Sequence, residues 1–261
     1  MKEILASFIF FTRLPLGRVC NVPADSFRQV VAYWPLSGLL TGGLMTAVYL
    51  LAVSLHFHAL IAVLMAFISR LLLTGALHED GLTDFIDGFG GGHTREQALA
   101  IMKDSHTGSY GVLGLVLYVM LWTGSVFLLT QQSGGSGYVI FFICDSWSKW
   151  CASQTVNLLP YARREEDSKI KKTYKRMSPL RFCAGLVSGI LPVACCLLFG
   201  RLSVPAVIIA GGAVAPVITM LLLAGYMKRR IRGYTGDCCG AVFLLCELSY
   251  LLTLTCLWRF T

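Results

Sequence analysis

VLGLVLYVMLWTGSVFLLT, residues 112–130, carries no charged side chain over its whole length. An α-helix needs about 20 mostly apolar residues to cross a hydrocarbon core about 30 Å thick. Because lipid cannot hydrogen-bond the backbone, such a segment must satisfy its own amides and carbonyls within a helix. The run therefore predicts a membrane-spanning helix.

Six further runs share this length and apolar character. Hydrophobic residues make up 56% of the chain and charged residues 14%, with mean hydropathy +0.68, whereas soluble domains carry roughly 25% charged residues. Strand-like alternation is absent, which argues against a transmembrane β-barrel. We predict an all-α polytopic membrane helix bundle of about seven transmembrane helices, forming one integral membrane domain over residues 1–261. The six runs are Tyr33–Leu55, Phe57–Leu77, Val139–Leu159, Phe182–Leu198, Val204–Met227 and Cys239–Trp258.

The first residues, Met1–Phe11, form a shorter apolar patch. Lys2 and Glu3 lead straight into it and no small-residue cleavage site follows. This pattern favours an interfacial helix or a partial insertion over a cleaved signal peptide.

The net charge of +8 is concentrated in alternate loops. Lys and Arg favour the cytoplasmic side of a membrane, so we predict a cytoplasmic N-terminus and an outer C-terminus in a bacterial inner membrane. Loops 78–111, 160–181 and 228–238 then share the cytoplasmic face. Because the basic excess follows topology, we expect membrane lipid and no nucleic acid as a partner.

The segment HEDGLTDFIDG, residues 78–88, concentrates carboxylates. Asp80, Asp84 and Asp87 follow i, i+4, i+7 spacing, which places them on one face of a helix. No Lys or Arg intervenes between Glu79 and Asp87. Hard oxygen ligands select Mg²⁺, which typically takes a few carboxylates plus substrate phosphates. The pattern favours a Mg²⁺ site over a solvated helix end.

The following stretch, residues 88–111, offers groups suited to phosphate chemistry. Its glycines, from Gly88 to Gly92, suit backbone contact with a phosphate, and a helix starting near Thr94 would add its dipole, although such a run is also typical of a hinge. Lys103 could neutralise a phosphate, and Asp104 could bind metal or accept a proton. A general-base role for His106 is the weaker interpretation of a loop histidine.

Polar residues also lie near and within the later spans. The cations from Lys228 to Arg232 suit a topology signal, which does not explain the GYTGD sequence that follows. Glu247, deep in the last run, needs a buried polar partner. Asp145 and Lys149 are spaced i, i+4, so they either neutralise each other or contact a substrate; both alternatives stay open.

Six ordered motifs resemble those of one known family, the cobalamin synthases (adenosylcobinamide-GDP ribazoletransferases), over essentially the whole chain. His106 and Lys149 depart from the resemblance, since arginine is expected at both positions. The motifs are FTRLP at 11–15, YWPLSG at 33–38, GALHEDGL at 75–82 with Asp84 and Asp87, IMKDS at 101–105 with GSYG at 108–111, LPYAR at 159–163 and GYTGD at 233–237.

The resemblance implies the last joining step of coenzyme B12 assembly. The 5′-hydroxyl of α-ribazole, or alternatively the 5′-phosphate form of α-ribazole, attacks the cobinamide-side phosphorus of adenosylcobinamide-GDP, and GMP leaves. Such displacements depend on positioning and charge neutralisation, so we expect Mg²⁺ as cofactor. The expected catalytic residues are Asp84, Asp104, Lys103 and His78; the expected metal ligands are Glu79, Asp80, Asp84 and Asp87; the expected substrate contacts are Arg13, Arg95, Ser105, Tyr110, Arg229, Arg230, Arg232, Tyr234 and Asp237.

Three rival functions match the sequence less well. A CDP-alcohol phosphotransferase has a different order of aspartates, and an aspartate-rich prenyltransferase has two acidic loops where the second cluster here is basic. A transporter could use Arg70, Asp145 and Lys149 as a path, but the repeat halves usual in transporters are not visible. The base of the ribazole and the oligomeric state, a homo-oligomer included, stay open.

Overall fold

The computed structural model describes residues 1–133, 137–163, 174–198 and 205–259. Every regular element in these ranges is a helix, which confirms the predicted helix bundle. Part of the predicted loop 160–181, with Arg164, Lys169, Lys171 and Lys172, lies outside the described residues. The helices are α1 Lys2–Phe11, α2 Leu16–Val19, a 3-10 helix Ala24–Tyr33, α3 Trp34–Ser54, α4 Ala59–Thr74, α5 Leu77–Gly91, α6 Arg95–Ile101, α7 Ser109–Gln132, α8 Val139–Ser153, α9 Thr155–Leu158, α10 Pro179–Leu198, α11 Ala206–Gly212, α12 Val214–Ile231 and α13 Gly236–Trp258.

Five helical segments in the described part of the chain are long and apolar enough to cross a membrane, and a bent helix pair, α4 with α5, would make six. The predicted span Val139–Leu159 is divided between α8, with 15 residues, and the short α9. Fifteen helical residues reach only about 22 Å, so this segment fails the length test, and the count of seven stays a prediction, as does the orientation. The five segments are Ala24–Ser54, Ser109–Gln132, Pro179–Cys196, Ala206–Ile231 and Gly236–Trp258.

The N-terminal patch forms α1, ten residues long. At 1.5 Å per residue it is too short to cross a membrane by itself. It packs against the 3-10 helix and α3, and Glu3 accepts hydrogen bonds from Arg181 of α10 at 2.7 and 3.1 Å. The N-terminus is therefore fixed to the bundle at one end of α10.

Helices α3 and α8 pack closely through two small residues. A Cβ on Gly38 would lie 2.6 Å from Ser146 Oγ, and one on Gly42 would lie 2.9 Å from the Cα of Phe142. This G-x-x-x-G spacing lets two membrane helices approach at backbone distance. Tyr49 and Phe141, which meet edge to face at 5.9 Å, extend the same contact.

A break separates α11 from α12 within one apolar segment. Pro216 lacks the N–H that would continue the helical hydrogen bonding, and its ring crowds the carbonyl four residues earlier. The Trp147 indole donates a hydrogen bond to the Ala213 carbonyl, at the junction of the two helices, at 2.9 Å. A side chain from α8 therefore contacts the backbone at the interruption.

A network of buried charges crosses the centre of the bundle. Arg70 of α4 donates to both carboxylate oxygens of Glu247 at 2.7 and 2.8 Å and to Tyr118 at 2.9 Å. Its guanidinium also lies 5.3 Å from the centre of the Trp122 ring, a favourable cation–π distance. The buried polar partner predicted for Glu247 is therefore Arg70.

Asp145 and Lys149 form an ion pair with both side chains buried. Thr41 on α3 donates to Asp145 at 2.8 Å, while Lys149 donates to the same hydroxyl at 2.8 Å. Of the two alternatives left open by the sequence, mutual neutralisation is the one that the structure shows. Lys149 also lies 5.0 Å from the Phe243 ring, so the pair ties α3, α8 and α13 together.

Candidate active site

A sharp turn at residues 75 and 76 sets the direction of α5. Gly75 has φ 68° and Ala76 φ 56°, a left-handed conformation that costs an alanine roughly 1–2 kcal/mol. Helices α4 and α5 consequently meet at 89°, so α5 does not continue the predicted second span. Arg13 holds the turn: its backbone N–H donates to Leu73 at 2.7 Å, and its guanidinium occupies the space beside Gly75. Arg13 thus contacts the turn that presents the acidic helix.

The predicted acidic face is present on α5, but its carboxylates lie in different environments. Asp80 is exposed, Asp84 is half-buried, and Asp87 is buried. Asp80 lines a cavity on one side of the helix. The helical spacing predicted from the sequence is therefore correct, but the three side chains differ in their exposure to solvent.

Asp87 caps the N-terminus of α7. Its two oxygens accept hydrogen bonds from the backbone N–H groups of Gly108 at 2.7 Å and Gly111 at 2.8 Å. These are donors that a helix cannot satisfy internally, and a carboxylate there also complements the helix dipole. The geometry gives Asp87 a structural task in joining α5 to α7.

Glu79 and His78 point into the bundle. Glu79 lies 3.3 Å from Arg70 in a buried ion pair, which makes it part of the central charge network. His78 is 2% exposed and packs its ring 5.3 Å from Trp34 and 5.0 Å from Phe243. It also lines the same cavity as Asp80. Of these two, His78 is the one beside the cavity.

The donor set for a metal is smaller than the sequence suggests. Among residues whose positions the structure gives, no group of three or more His, Cys, Asp or Glu side chains is close enough to hold a metal ion. Hard oxygen donors are supplied by Asp80 and Asp84, one turn apart on α5, and by Asp237, whose backbone faces Gly81. The pair Asp80 and Asp84 is enough for Mg²⁺, which usually keeps several waters and takes further ligands from substrate phosphates.

The glycine run predicted as a phosphate loop is helical. Helix α5 extends through Gly91 and ends at Gly92, so these amides are engaged within the helix. The predicted helix start is correct: Thr94 accepts from the Gln97 N–H at 3.2 Å while the Gln97 side chain accepts from the Thr94 N–H at 3.1 Å. This reciprocal capping box fixes the start of α6.

The motifs LPYAR and GYTGD pair through their backbones. Ala162 donates to the Tyr234 carbonyl at 2.8 Å, and Tyr234 donates to the Pro160 carbonyl at 3.0 Å. The Tyr161 and Tyr234 rings meet edge to face at 5.4 Å. Tyr234 is buried, and burial raises the pKa of its phenol above the usual range, so the ring stays neutral. Two distant loops are thereby joined as one unit.

Arg95 connects this unit to the loop after α5. Its side chain donates to the Ile231 carbonyl at 2.9 Å and to the Ala162 carbonyl at 2.7 Å. Arg163 reaches back in the other direction and donates to the Leu99 carbonyl of α6 at 2.9 Å. The described parts of all three loops predicted to share a face therefore converge.

Two cavities meet at Arg163. One, of about 220 Å³, lies among aromatic rings and includes Asp80 and Asp237. The other, of about 460 Å³ and more open, is lined by three cations, Arg95, Lys103 and Arg163, and by one carboxylate, Glu96. We call them the aromatic cavity and the basic groove. Arg163 thus has two carboxylates on the side of the cavity and a net positive charge on the side of the groove.

The remaining predicted residues do not belong to the lining of either cavity. Arg230 donates to the Gly92 carbonyl at 2.6 Å and to Tyr226 at 3.1 Å, so it closes the C-terminal end of α5. Tyr110 packs its ring against Gly90. Asp104 accepts a hydrogen bond from His106 at 2.7 Å, which lowers the pKa of Asp104 and raises that of His106. Exposed side chains are found at Ser105, Arg229 and Arg232.

Sequence reasoning omitted several residues that line the aromatic cavity. Arg163 and Tyr161 lie in the quoted LPYAR motif, yet the motif gave no indication of their role. Tyr174, Phe10 and Trp34 form further parts of the wall. These residues come together only in the fold, which joins α1, α3 and two loops. The sequence signal that could have pointed to this wall is the pair of motifs FTRLP and YWPLSG, which lie in or next to α1 and α3.

Comparison with known proteins agrees with these motifs. The family model described as CobS, cobalamin-5-phosphate synthase, matches residues 3–255. The chain belongs to this family. It is 32% identical to an adenosylcobinamide-GDP ribazoletransferase of Leptospira interrogans over 264 residues, covering 99% of this chain and 96% of that protein. An enzyme of the same name from Shewanella sp. (strain ANA-3) is 35% identical, covering 95% and 92%.

A third relative with this name, from Vibrio cholerae, is 33% identical over 256 residues and covers 97% of this chain and 94% of that protein. The cobalamin-5-phosphate synthase family membership therefore extends over both cavities and all six motifs. No solved structure gives a significant match to the chain.

Proposed function

We propose that this protein joins adenosylcobinamide-GDP to α-ribazole, or to its 5′-phosphate, and releases GMP. Family membership over residues 3–255 carries the proposal, and the relatives bear the name of this activity. The meeting of an acidic cavity and a basic groove at Arg163 supports it, because the reaction brings a neutral hydroxyl and an anionic diphosphate together.

The nucleophile is a ribose hydroxyl that is free both in α-ribazole and in its 5′-phosphate, and therefore not the 5′-hydroxyl expected from the sequence, because the 5′-oxygen of the phosphorylated form already carries the phosphate. It forms a bond to the cobinamide-side phosphorus, and the bond from that phosphorus to the bridging oxygen breaks, so the electron pair leaves with GMP. The hydroxyl proton passes to a carboxylate, for which Asp237 in the aromatic cavity is the proposed acceptor. His78 in the wall of the same cavity helps to exclude water.

Charge neutralisation falls to the basic groove. Arg163, Lys103 and Arg95 line it and would stabilise the charge that develops on the leaving GMP. Arg95 is fixed by two carbonyls and Arg163 by one, so these guanidiniums need little reorganisation during the reaction, which is the condition for strong electrostatic stabilisation.

Mg²⁺ is the proposed cofactor, held by Asp80 and Asp84. When bound, it would neutralise charge on the diphosphate. Glu79 and Asp87 are engaged by Arg70 and by the start of α7, so we propose that they position α5 and do not bind the metal. Asp104, exposed and paired with His106, lies outside this set.

We further propose that both cavities face the cytoplasm of a bacterial inner membrane. The concentration of Lys and Arg in the loops that converge here supports this orientation. The transporter alternative is not favoured, because Arg70, Asp145 and Lys149 are engaged in buried ion pairs. The site also differs from that of a prenyltransferase with two acidic loops, because the second polar cluster here, from Lys228 to Arg232, is basic.

The test uses the purified protein in liposomes with adenosylcobinamide-GDP, α-ribazole and Mg²⁺. We expect one GMP released for each cobalamin formed, and no release when EDTA removes Mg²⁺. Absence of GMP and cobalamin from folded protein would overturn the proposed function. Inverted membrane vesicles should be active without permeabilisation, whereas activity confined to right-side-out vesicles would contradict the orientation.

A further inference from the structure

The aromatic cavity has walls suited to a flat ring. Trp34 and Phe11 are stacked at 4.7 Å with their planes 8° apart. Phe10 and Tyr174 meet edge to face at 6.1 Å, and Tyr161, on another loop, also lines the cavity. Ring walls of this kind favour stacked and edge-to-face contacts with an aromatic ligand.

The size of the cavity limits what it can hold. Pockets for whole drug-sized ligands occupy about 300–1,000 Å³, whereas this cavity has about 220 Å³. It cannot enclose a corrin ring or a complete nucleotide. A single heteroaromatic base with its sugar at the mouth is a suitable occupant.

The polar groups of the cavity are Asp80, Asp237 and Arg163, next to the basic groove, together with the imidazole of His78 and the N–H or O–H groups of Trp34, Tyr161 and Tyr174. Rings and aliphatic side chains make up most of the remaining walls. A purine such as guanine carries several donors and acceptors on its edge, and each one left unpaired in the cavity would cost binding free energy. A base with an apolar edge, of the benzimidazole kind, loses little by entering.

We propose that the aromatic cavity is the subsite for the base of α-ribazole. This inference rests on the proposed function and assigns one substrate to each cavity. With its base between Tyr174, Phe10 and Trp34, the nucleoside directs its ribose toward Asp80 and Asp237. The basic groove on the other side of Arg163 is left for the GDP portion of the second substrate.

The assignment predicts which Michaelis constant changes on substitution. Tyr174→Ala removes one ring wall, and base–aromatic stacking lost in this way typically weakens binding by about tenfold or more. We expect the KM for α-ribazole to rise about tenfold while the KM for adenosylcobinamide-GDP is unchanged. Phe10→Ala should act in the same direction and serves as the second variant if Tyr174→Ala does not fold.

A matched control removes an exposed ring far from the cavity. Phe57 is 48% exposed and lies just before the start of α4. The whole of α4, 16 residues long, separates it from the turn that carries α5. Phe57→Ala should leave both Michaelis constants unchanged. Titration calorimetry of α-ribazole alone should show the same loss of affinity in Tyr174→Ala, which excludes an effect on catalysis only.

The outcomes separate this inference from the proposed function. If the wild-type protein turns over but both cavity variants keep the KM for α-ribazole, the cavity is not the base subsite. A rise confined to the KM for adenosylcobinamide-GDP, with a weaker inhibition constant for GMP, would show that guanine occupies it. Failure of the wild-type protein to release GMP would overturn the proposed function itself.

Discussion

Tyr161 and Tyr234 lie side by side in a parallel bridge that joins two loops distant in sequence. The backbone hydrogen bonds flanking it measure 2.8 and 3.0 Å, and the two rings meet edge to face. Tyr161 lines the aromatic cavity and Asp237 follows Tyr234 by three residues. The bridge therefore fixes one wall of the candidate active site relative to the start of α13.

Gly233 tests the importance of this bridge. A Cβ there would collide with the Pro160 carbonyl and approach the Ala162 Cα at 3.1 Å. Gly233→Ala should separate the loops, lower stability by about 1–3 kcal/mol, and reduce kcat for GMP release about tenfold or more. Gly225→Ala is the matched control, because a Cβ there meets nothing within 4 Å. Equal activity of the two variants would contradict a role for the bridge.

Asp87 and Asp80 should respond differently to loss of charge. Asp87→Asn leaves one N–H of the α7 start without its acceptor, so stability should fall by about 1–2 kcal/mol with the Mg²⁺ dependence unchanged. Asp80→Asn should instead raise the Mg²⁺ concentration needed for half-maximal turnover. Thermal unfolding and Mg²⁺ titration of activity measure the two effects. A shifted Mg²⁺ requirement in Asp87→Asn, with stability intact, would return Asp87 to the metal site.

Glu247 is the main partner of the buried Arg70. Glu247→Gln removes a charge and leaves the guanidinium with weaker compensation, so we expect a loss of about 3–5 kcal/mol. Glu3→Gln removes a carboxylate from a more exposed pair with Arg181 and should cost less than about 1 kcal/mol. Thermal unfolding in the same detergent compares them. A smaller loss for Glu247→Gln would show that the central network is not a main source of stability.

Asp104 and His106 should titrate as a pair. The pKa of His106 is raised from 6.5 and that of Asp104 lowered from 3.8, each chiefly by their mutual hydrogen bond. The stabilisation that protonated His106 adds to the folded state is complete below pH 6.5 and is lost as pH rises through its raised pKa. The stabilisation that ionised Asp104 adds is lost as pH falls through its lowered pKa. NMR of labelled histidine should give His106 a lower titration midpoint in Asp104→Asn. An unchanged midpoint would exclude the pair.

Much of the architecture follows from local sequence properties. Apolar runs define helices because each lipid-facing segment must satisfy its own backbone, and Thr94 with Gln97 marks a helix start through short-range hydrogen bonds. The 89° turn at Gly75 was not predicted: GALHED has no proline, and Ala76 adopts a left-handed conformation that its side chain alone does not favour. Tertiary contacts, such as that of Arg13 with the turn, override the local preference.

The site was predicted in part, for a related reason. Spacing placed Asp80, Asp84 and Asp87 on one helix, but spacing does not reveal that α7 begins beside Asp87. Arg230 and Arg95 were predicted to contact substrate because their charge was visible, whereas the carbonyls that they bind are not encoded in any motif. Arg163 was overlooked because it belongs to a basic loop whose charges also serve membrane orientation.

The most direct test of the account is the turnover number of Arg163→Gln. Arg163 borders both cavities, so removing its charge should lower kcat for GMP release about 100-fold or more. Lys228→Gln, which removes an exposed cation at the end of α12, should leave kcat unchanged. If folded Arg163→Gln turns over as fast as Lys228→Gln, the reaction does not take place where the two cavities meet.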